Sequence, residues 1–125
     1  MENFHDFNIF EYNVNCHLKE ITLKLNEPHG TGEGVIIFSG VIGHRFENVL
    51  EGNVILALEE LNSNEFYNSF ESQVQYYQKW GLPMRFKTKE EFICESVQME
   101  LKFFSISTSY GLSGWVICNE VAIDA

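Results

Sequence analysis

Two stretches of the chain carry residue types at spacings that could do chemistry. The first is Gly30-Thr31-Gly32-Glu33-Gly34, between Pro28-His29 and the apolar run Val35-Ile36-Ile37-Phe38. Closely spaced glycines let backbone amides approach a phosphate. A phosphate loop also needs G-x-x-x-x-G-K-[ST] and a helix after it, and here no Lys-Ser or Lys-Thr follows and the next residues are strand formers. The dinucleotide pattern G-x-G-x-x-G fails because the third glycine arrives one residue early, and Glu33 would stand against a phosphate. The stretch reads as a hairpin loop whose glycines supply positive φ.

The second stretch is His44-Arg45-Phe46-Glu47. A histidine can act as general base, and an arginine can hold an oxyanion or phosphate. Neighbours on a strand point to opposite faces, so His44 and Arg45 do not readily share a pocket. His44 with Phe46, or Arg45 with Glu47, can. His5, His17 and His29 are scattered, with no second ligand at i+2 or i+4, so no metal site is indicated. No G-x-S-x-G nucleophile signature is present, and no motif implies a cofactor. The residues weigh against catalysis without settling whether the protein is an enzyme.

Two further groups could bind rather than react. Tyr76-Tyr77-Gln78-Lys79-Trp80 is followed by Arg85, Lys87 and Lys89, so half of the eight bases fall between residues 79 and 89. Such a patch could grip an anionic ligand or a partner, unless Tyr77 and Trp80 face the core. Glu47, Glu51, Glu59, Glu60 and Glu65 could form a negative face that steers a basic partner toward the protein.

The elements that must position these residues can be read from periodicity. Phe10, Tyr12, Val14, Cys16 and Leu18 alternate with mostly polar residues, and Ile21, Leu23 and Leu25 continue in the opposite phase, which predicts a bulge or break near Lys19-Glu20. Val35 to Ile42 reads as a central strand, interrupted at Gly43 before a strand from His44 to Leu50. Glu51-Gly52 reads as a turn into a strand over Asn53 to Leu58. Asn62 with Glu65 forms a capping-box pattern, Leu61 and Phe66 a hydrophobic staple, and Phe66, Phe70, Val74 and Tyr77 one apolar stripe. Gly81-Leu82-Pro83 closes that helix. Thr88-Lys89-Glu90-Glu91 could start a short second helix. Val97, Met99, Leu101 and Phe103 alternate as a strand, and Trp115 to Ile123 reads as the last one, the two forming a hairpin. The expected fold is α+β: a curved antiparallel sheet of about six strands with one main helix packed on one face.

A chain of 125 residues suits a single domain over residues 1–125. Eighteen acids against eight bases give a formal charge of −10, which argues against nucleic acid as a partner. The acidic start lacks the pattern of a secretory signal. The longest charge-free run in the first half, Gly34 to His44, is far shorter than the roughly 20 residues of a membrane-spanning helix. Cys16, Cys94 and Cys118 lie far apart and beside apolar residues, which reads as three buried reduced thiols and a cytoplasmic protein.

The block "FSGVIGHRFENVLEGNVILALEEL", the amphipathic helix after it and the late "GWVICNEV" resemble small bacterial proteins similar to the immunity proteins that neutralise polymorphic toxins. The resemblance implies a cytoplasmic, acidic, stoichiometric inhibitor that caps a toxin's active site. It transfers no individual functional residue. The leading expectation is therefore a non-catalytic protein-binding protein, with Glu47, Glu51, Glu59 and Glu60 supplying charge and Tyr76 an anchor for a basic partner such as a toxin. One alternative is a small-ligand module or enzyme with a pocket near His44 and Arg45. Another is a structural homo-oligomer that pairs its edge strands.

Overall fold

The computed structural model describes residues 7–27, 29–48, 53–110 and 112–124. The chain runs β1 (Asn8–Asn15), β2 (Glu20–Asn26), β3 (Glu33–Ser39), β4 (Gly43–Glu47), β5 (Asn53–Leu61), α1 (Ser63–Lys79), α2 (Lys89–Gln98), β6 (Lys102–Tyr110), β7 (Ser113–Cys118) and β8 (Glu120–Asp124). The α+β class and the antiparallel pairing are as the sequence implies. Among the described residues there are eight strands instead of about six; α1 is the main helix, and α2 is the short second helix that Thr88-Lys89-Glu90-Glu91 suggests.

The break between β3 and β4 is the one expected near Gly43, whereas the strand expected over Trp115 to Ile123 is split into β7 and β8 at Asn119. The hydrogen-bonded order is β4-β7-β6-β5-β1-β2-β3-β8. Ser39 lies opposite Glu120, and Gly43 lies opposite Ile117. Between those pairs Asn119 N donates to Ser39 O at 3.0 Å and Ile42 N donates to Ile117 O at 3.0 Å. Thus β3–β4 and β7–β8 run side by side as one bent antiparallel pair, which joins the two ends of the order. The sheet curls back on itself like a barrel. Gly40, at φ +65, sits at one bend, where an added Cβ would run into the Asn119 side chain. The seam between β1 and β5 is thin: among the described residues only Asn8 and Ile9 of β1 pair across it.

Alternation then sorts the side chains into two cores. Inside the curl, Ile9, Ile21, Leu23, Leu25, Ile36 and Phe38 meet Phe104, Ile106, Val116 and Cys118. The Phe38 and Phe104 rings stand 5.5 Å apart. On the outer face of β6 and β7, Phe103, Trp115 and Ile117 pack against Phe66, Val74 and Phe92 of the helices. Because β7 is covered on both faces, Trp115-Val116-Ile117-Cys118 is a continuous apolar run.

α1 begins as its sequence indicates, with Glu65 N donating to Asn62 Oδ1 at 2.8 Å and Asn62 N to Glu65 Oε1 at 3.1 Å. It ends where Gly81 takes φ +115 and Leu82 N donates to Tyr77 O at 3.0 Å. Phe70 leaves helical geometry and kinks the helix. Three readings are corrected. Val97 and Met99 do not open a strand: Val97 is in α2 and is 71% exposed, Met99 is that helix's C-cap, and β6 starts at Lys102. Of the three cysteines only Cys118 is buried, while Cys16 and Cys94 are exposed. The glycine stretch is a hairpin loop between β2 and β3, but Gly30 and Gly32 do not have positive φ. A Cβ at either position would meet the Glu27 carboxylate, the free end of a flexible side chain that can swing aside. The break near Lys19-Glu20 is a turn over residues 16–19, with Lys19 at φ 57.

Candidate functional site

β4 divides two clefts. Its side chains alternate, so His44 and Phe46 share one face, with ring centroids 5.1 Å apart, and Arg45 and Glu47 share the other. This is the division that strand geometry imposes on His44-Arg45-Phe46-Glu47.

The His44 side opens at one end of the curled sheet. There β1 and β2 turn over, and the chain bends from β3 into β4. Val41 N donates to Lys19 O at 2.9 Å and fixes the bend against the turn. The result is a cleft of about 280 Å³ whose walls include Val14, Ile21, Val41, Ile42, Pro83 and His44. Cys16, Lys19 and Glu20 also border it. Burial lowers the pKa of His44 from its ordinary value of 6.5, because desolvation penalises the imidazolium. His44 therefore enters the cleft mainly as a neutral donor and acceptor. The Tyr12 ring meets Phe46 edge-on at 6.0 Å beside it.

The Arg45 side faces α1. Arg45 Nε donates to Glu47 Oε1 at 2.6 Å, and that hydrogen bond does most to raise the guanidinium's pKa. Both side chains are well exposed. Glu47 also borders a second cleft, of about 290 Å³, with Gln73, Ser105, Ser107, Thr108 and Ser113. The indole of Trp115 forms part of it, and Trp115 Nε1 donates to Gln73 Oε1 at 2.5 Å. This groove mixes hydroxyl and amide groups with the rings of Phe70 and Trp115, whereas the His44 cleft is mainly apolar.

The remaining candidate residues lie elsewhere. Glu59 and Glu60 are exposed neighbours on β5, so they point to opposite faces and do not form one acidic patch with Glu47. Glu51 lies outside the described residues. Tyr76 is 56% exposed and Trp80 76% exposed at the exit of α1, with rings 6.3 Å apart, while Tyr77 packs on Trp115 at 5.3 Å. Trp80 is thus a surface residue rather than part of the core, and Lys79, Arg85 and Lys87, near it in the chain, are exposed as well.

Sequence reasoning did not single out Cys16, Lys19 or Val41 beside His44. The only signal there was the change of alternation at Lys19-Glu20. The serine row was visible as Ser105, Ser107 and Ser109 alternating with Ile106 and Thr108, but nothing in the sequence placed Glu47 opposite it. Among the described residues no group of three or more His, Cys, Asp or Glu could hold a metal ion. No helix among them is long and apolar enough to cross a membrane. Compared with protein families, curated proteins and solved structures, the chain matches none.

Proposed function

We propose that this is a non-catalytic binding protein of the immunity type, which presents the exit of α1 to a basic protein partner such as a toxin. The observation that carries the reading is the pair Tyr76 and Trp80, whose rings stay in solvent although the same helix buries Phe66 and Val74. Tyrosine and tryptophan dominate the energetic centres of protein interfaces. Away from that exit, exposed Glu65 and Glu71 and the whole-chain charge of −10 favour fast association with a partner of net positive charge, while the exposed bases Lys79, Arg85 and Lys87 at the exit call for acidic groups at the contact itself.

The test is to co-purify the protein with the products of neighbouring genes and to measure affinity for any partner recovered. Tyr76→Ala with Trp80→Ala is expected to weaken binding by about 2 kcal/mol or more, roughly 30-fold. Added salt is expected to slow association. Recovery of no partner, or affinity indifferent to both the substitutions and salt, counts against the reading.

A further inference from the structure

We propose that the cleft beside His44 binds a small uncharged ring compound carrying one hydrogen-bonding group. Size, wall chemistry and charge of the cleft all point to such a ligand. A cavity of roughly 150 Å³ can hold benzene, and this cleft is about 280 Å³, which suits two fused rings. Val14, Ile21, Val41 and Ile42 supply the apolar walls that such a ring would cover. The two charged groups at the cleft, Lys19 and Glu20, have opposite signs and are adjacent in the chain, so the site carries no net charge to select an ion. His44 offers one ring nitrogen as donor and the other as acceptor while it remains neutral. Small-molecule sites commonly combine concave apolar walls with a few polar groups that fix orientation.

The walls are held by backbone and do not depend on the ligand. Val41 N to Lys19 O and Ile42 N to Ile117 O pin both sides of the bend. Neither Tyr76 nor Trp80 borders the cleft, so this proposal stands or falls apart from the protein-binding reading.

The cysteines provide the assay. Cys16 borders the cleft, Cys94 is exposed on α2 away from it, and Cys118 is buried. The wild-type protein is treated with iodoacetamide with and without indole, and modification at each cysteine is followed by mass spectrometry. At an affinity of about 1 mM, reasonable for so small a ligand, about 5 mM indole is expected to slow modification of Cys16 roughly sixfold and leave Cys94 unchanged. Benzoate and benzylammonium are expected to protect less. The His44 ring resonances should move on titration with indole, which tests the site without any substitution. Unchanged reactivity of Cys16, or equal slowing at Cys16 and Cys94, overturns the site. Stronger protection by either charged probe overturns the chemical class.

Discussion

The two clefts beside β4 are nearly equal in volume, about 280 and 290 Å³, yet they differ in kind. One is walled by valine and isoleucine with a neutral histidine. The other sets serines, a glutamine and a carboxylate already engaged by Arg45 beside the rings of Phe70 and Trp115. The difference comes from one strand five residues long, in which every second side chain changes sides. The apolar cleft opens where the curled sheet runs out of interior to fill. The polar groove opens where the outer face of the wall passes beyond the cover of α1. Volume alone would rank them as equals, and chemistry separates them.

The contrast depends on β4 being held tightly against β7. Gly114 pairs with Phe46, and a Cβ there would run into the backbone carbonyl of Arg45. Its φ of +155 adds to the penalty. Gly114→Ala is therefore expected to have the largest effect. It should cost about 3 kcal/mol, because neither backbone can yield without breaking the ladder. Chemical denaturation measures the loss, and iodoacetamide reactivity at Cys16 should rise as β4 lifts and its cleft opens. A variant as stable as wild type would mean that β4 is not the shared wall of both clefts.

Trp115→Phe separates the two sides. Trp115 is fully buried, and its indole donates to Gln73 beside the polar groove. Losing that bond and part of the ring should cost about 2 kcal/mol. Since Trp115 points away from the His44 cleft, the rate of Cys16 alkylation under native conditions should not change. A matching rise in Cys16 reactivity would show that the wall transmits damage from one side to the other.

How far these features could be read in the sequence depends on whether they are local. Asn62, Glu65 and Gly81 mark α1 because caps act within a few residues of the backbone they satisfy. The split between His44 and Arg45 was legible for the same reason. The alternation over Val97, Met99, Leu101 and Phe103 misleads because it crosses a boundary. Phe92 and Ser96, four apart, are the buried face of α2, and Ser96 Oγ donates to Phe92 O at 2.7 Å. Met99 and Leu101 then cover the helical core on the way out, so a helix end and a strand start together imitate period two. Which residues face one another across a cleft was not legible at all. Lys19 and Val41 meet because β2 pairs with β3 and the chain then bends, and alternation does not encode pairing partners. The strand count fell short for a related reason: Asn119 splits the strand from Trp115 to Ile123 without interrupting the apolar pattern, whereas the break between β3 and β4 is marked in the sequence by Gly43.

A change of pH marks the apolar side. Burial depresses the pKa of His44 in the folded protein below its unfolded value of 6.5. The folded state therefore favours the neutral ring, and its contribution to stability is complete above 6.5. As pH falls from 6.5 toward the folded pKa, the unfolded chain binds the proton first, and stability declines. Lys19 and Glu20 are the charged groups that share the cleft, on the β1–β2 side, and burial rather than either charge sets the direction of the shift. His44→Asn should flatten this part of the stability–pH curve relative to wild type, and the wild-type ring resonances should titrate below 6.5. A titration above 6.5 would place His44 in a solvated or acidic setting and remove the apolar character assigned to its cleft.

The smallest effect is expected one residue along the chain. The Arg45–Glu47 ion pair joins two side chains that are 36% and 44% exposed, so its attraction is screened by water and salt and opposed by the entropy of holding both chains. Arg45→Ala should cost only about 0.5 kcal/mol at low salt and less at high salt, as measured by denaturant midpoints. It should leave the titration of His44 and the reactivity of Cys16 as they are, because its side chain leaves β4 on the helix side. Equal sensitivity of the His44 resonances to Arg45→Ala would mean that the two side chains share one environment. The contrast between the clefts would then come from their outer walls and not from the alternation of β4.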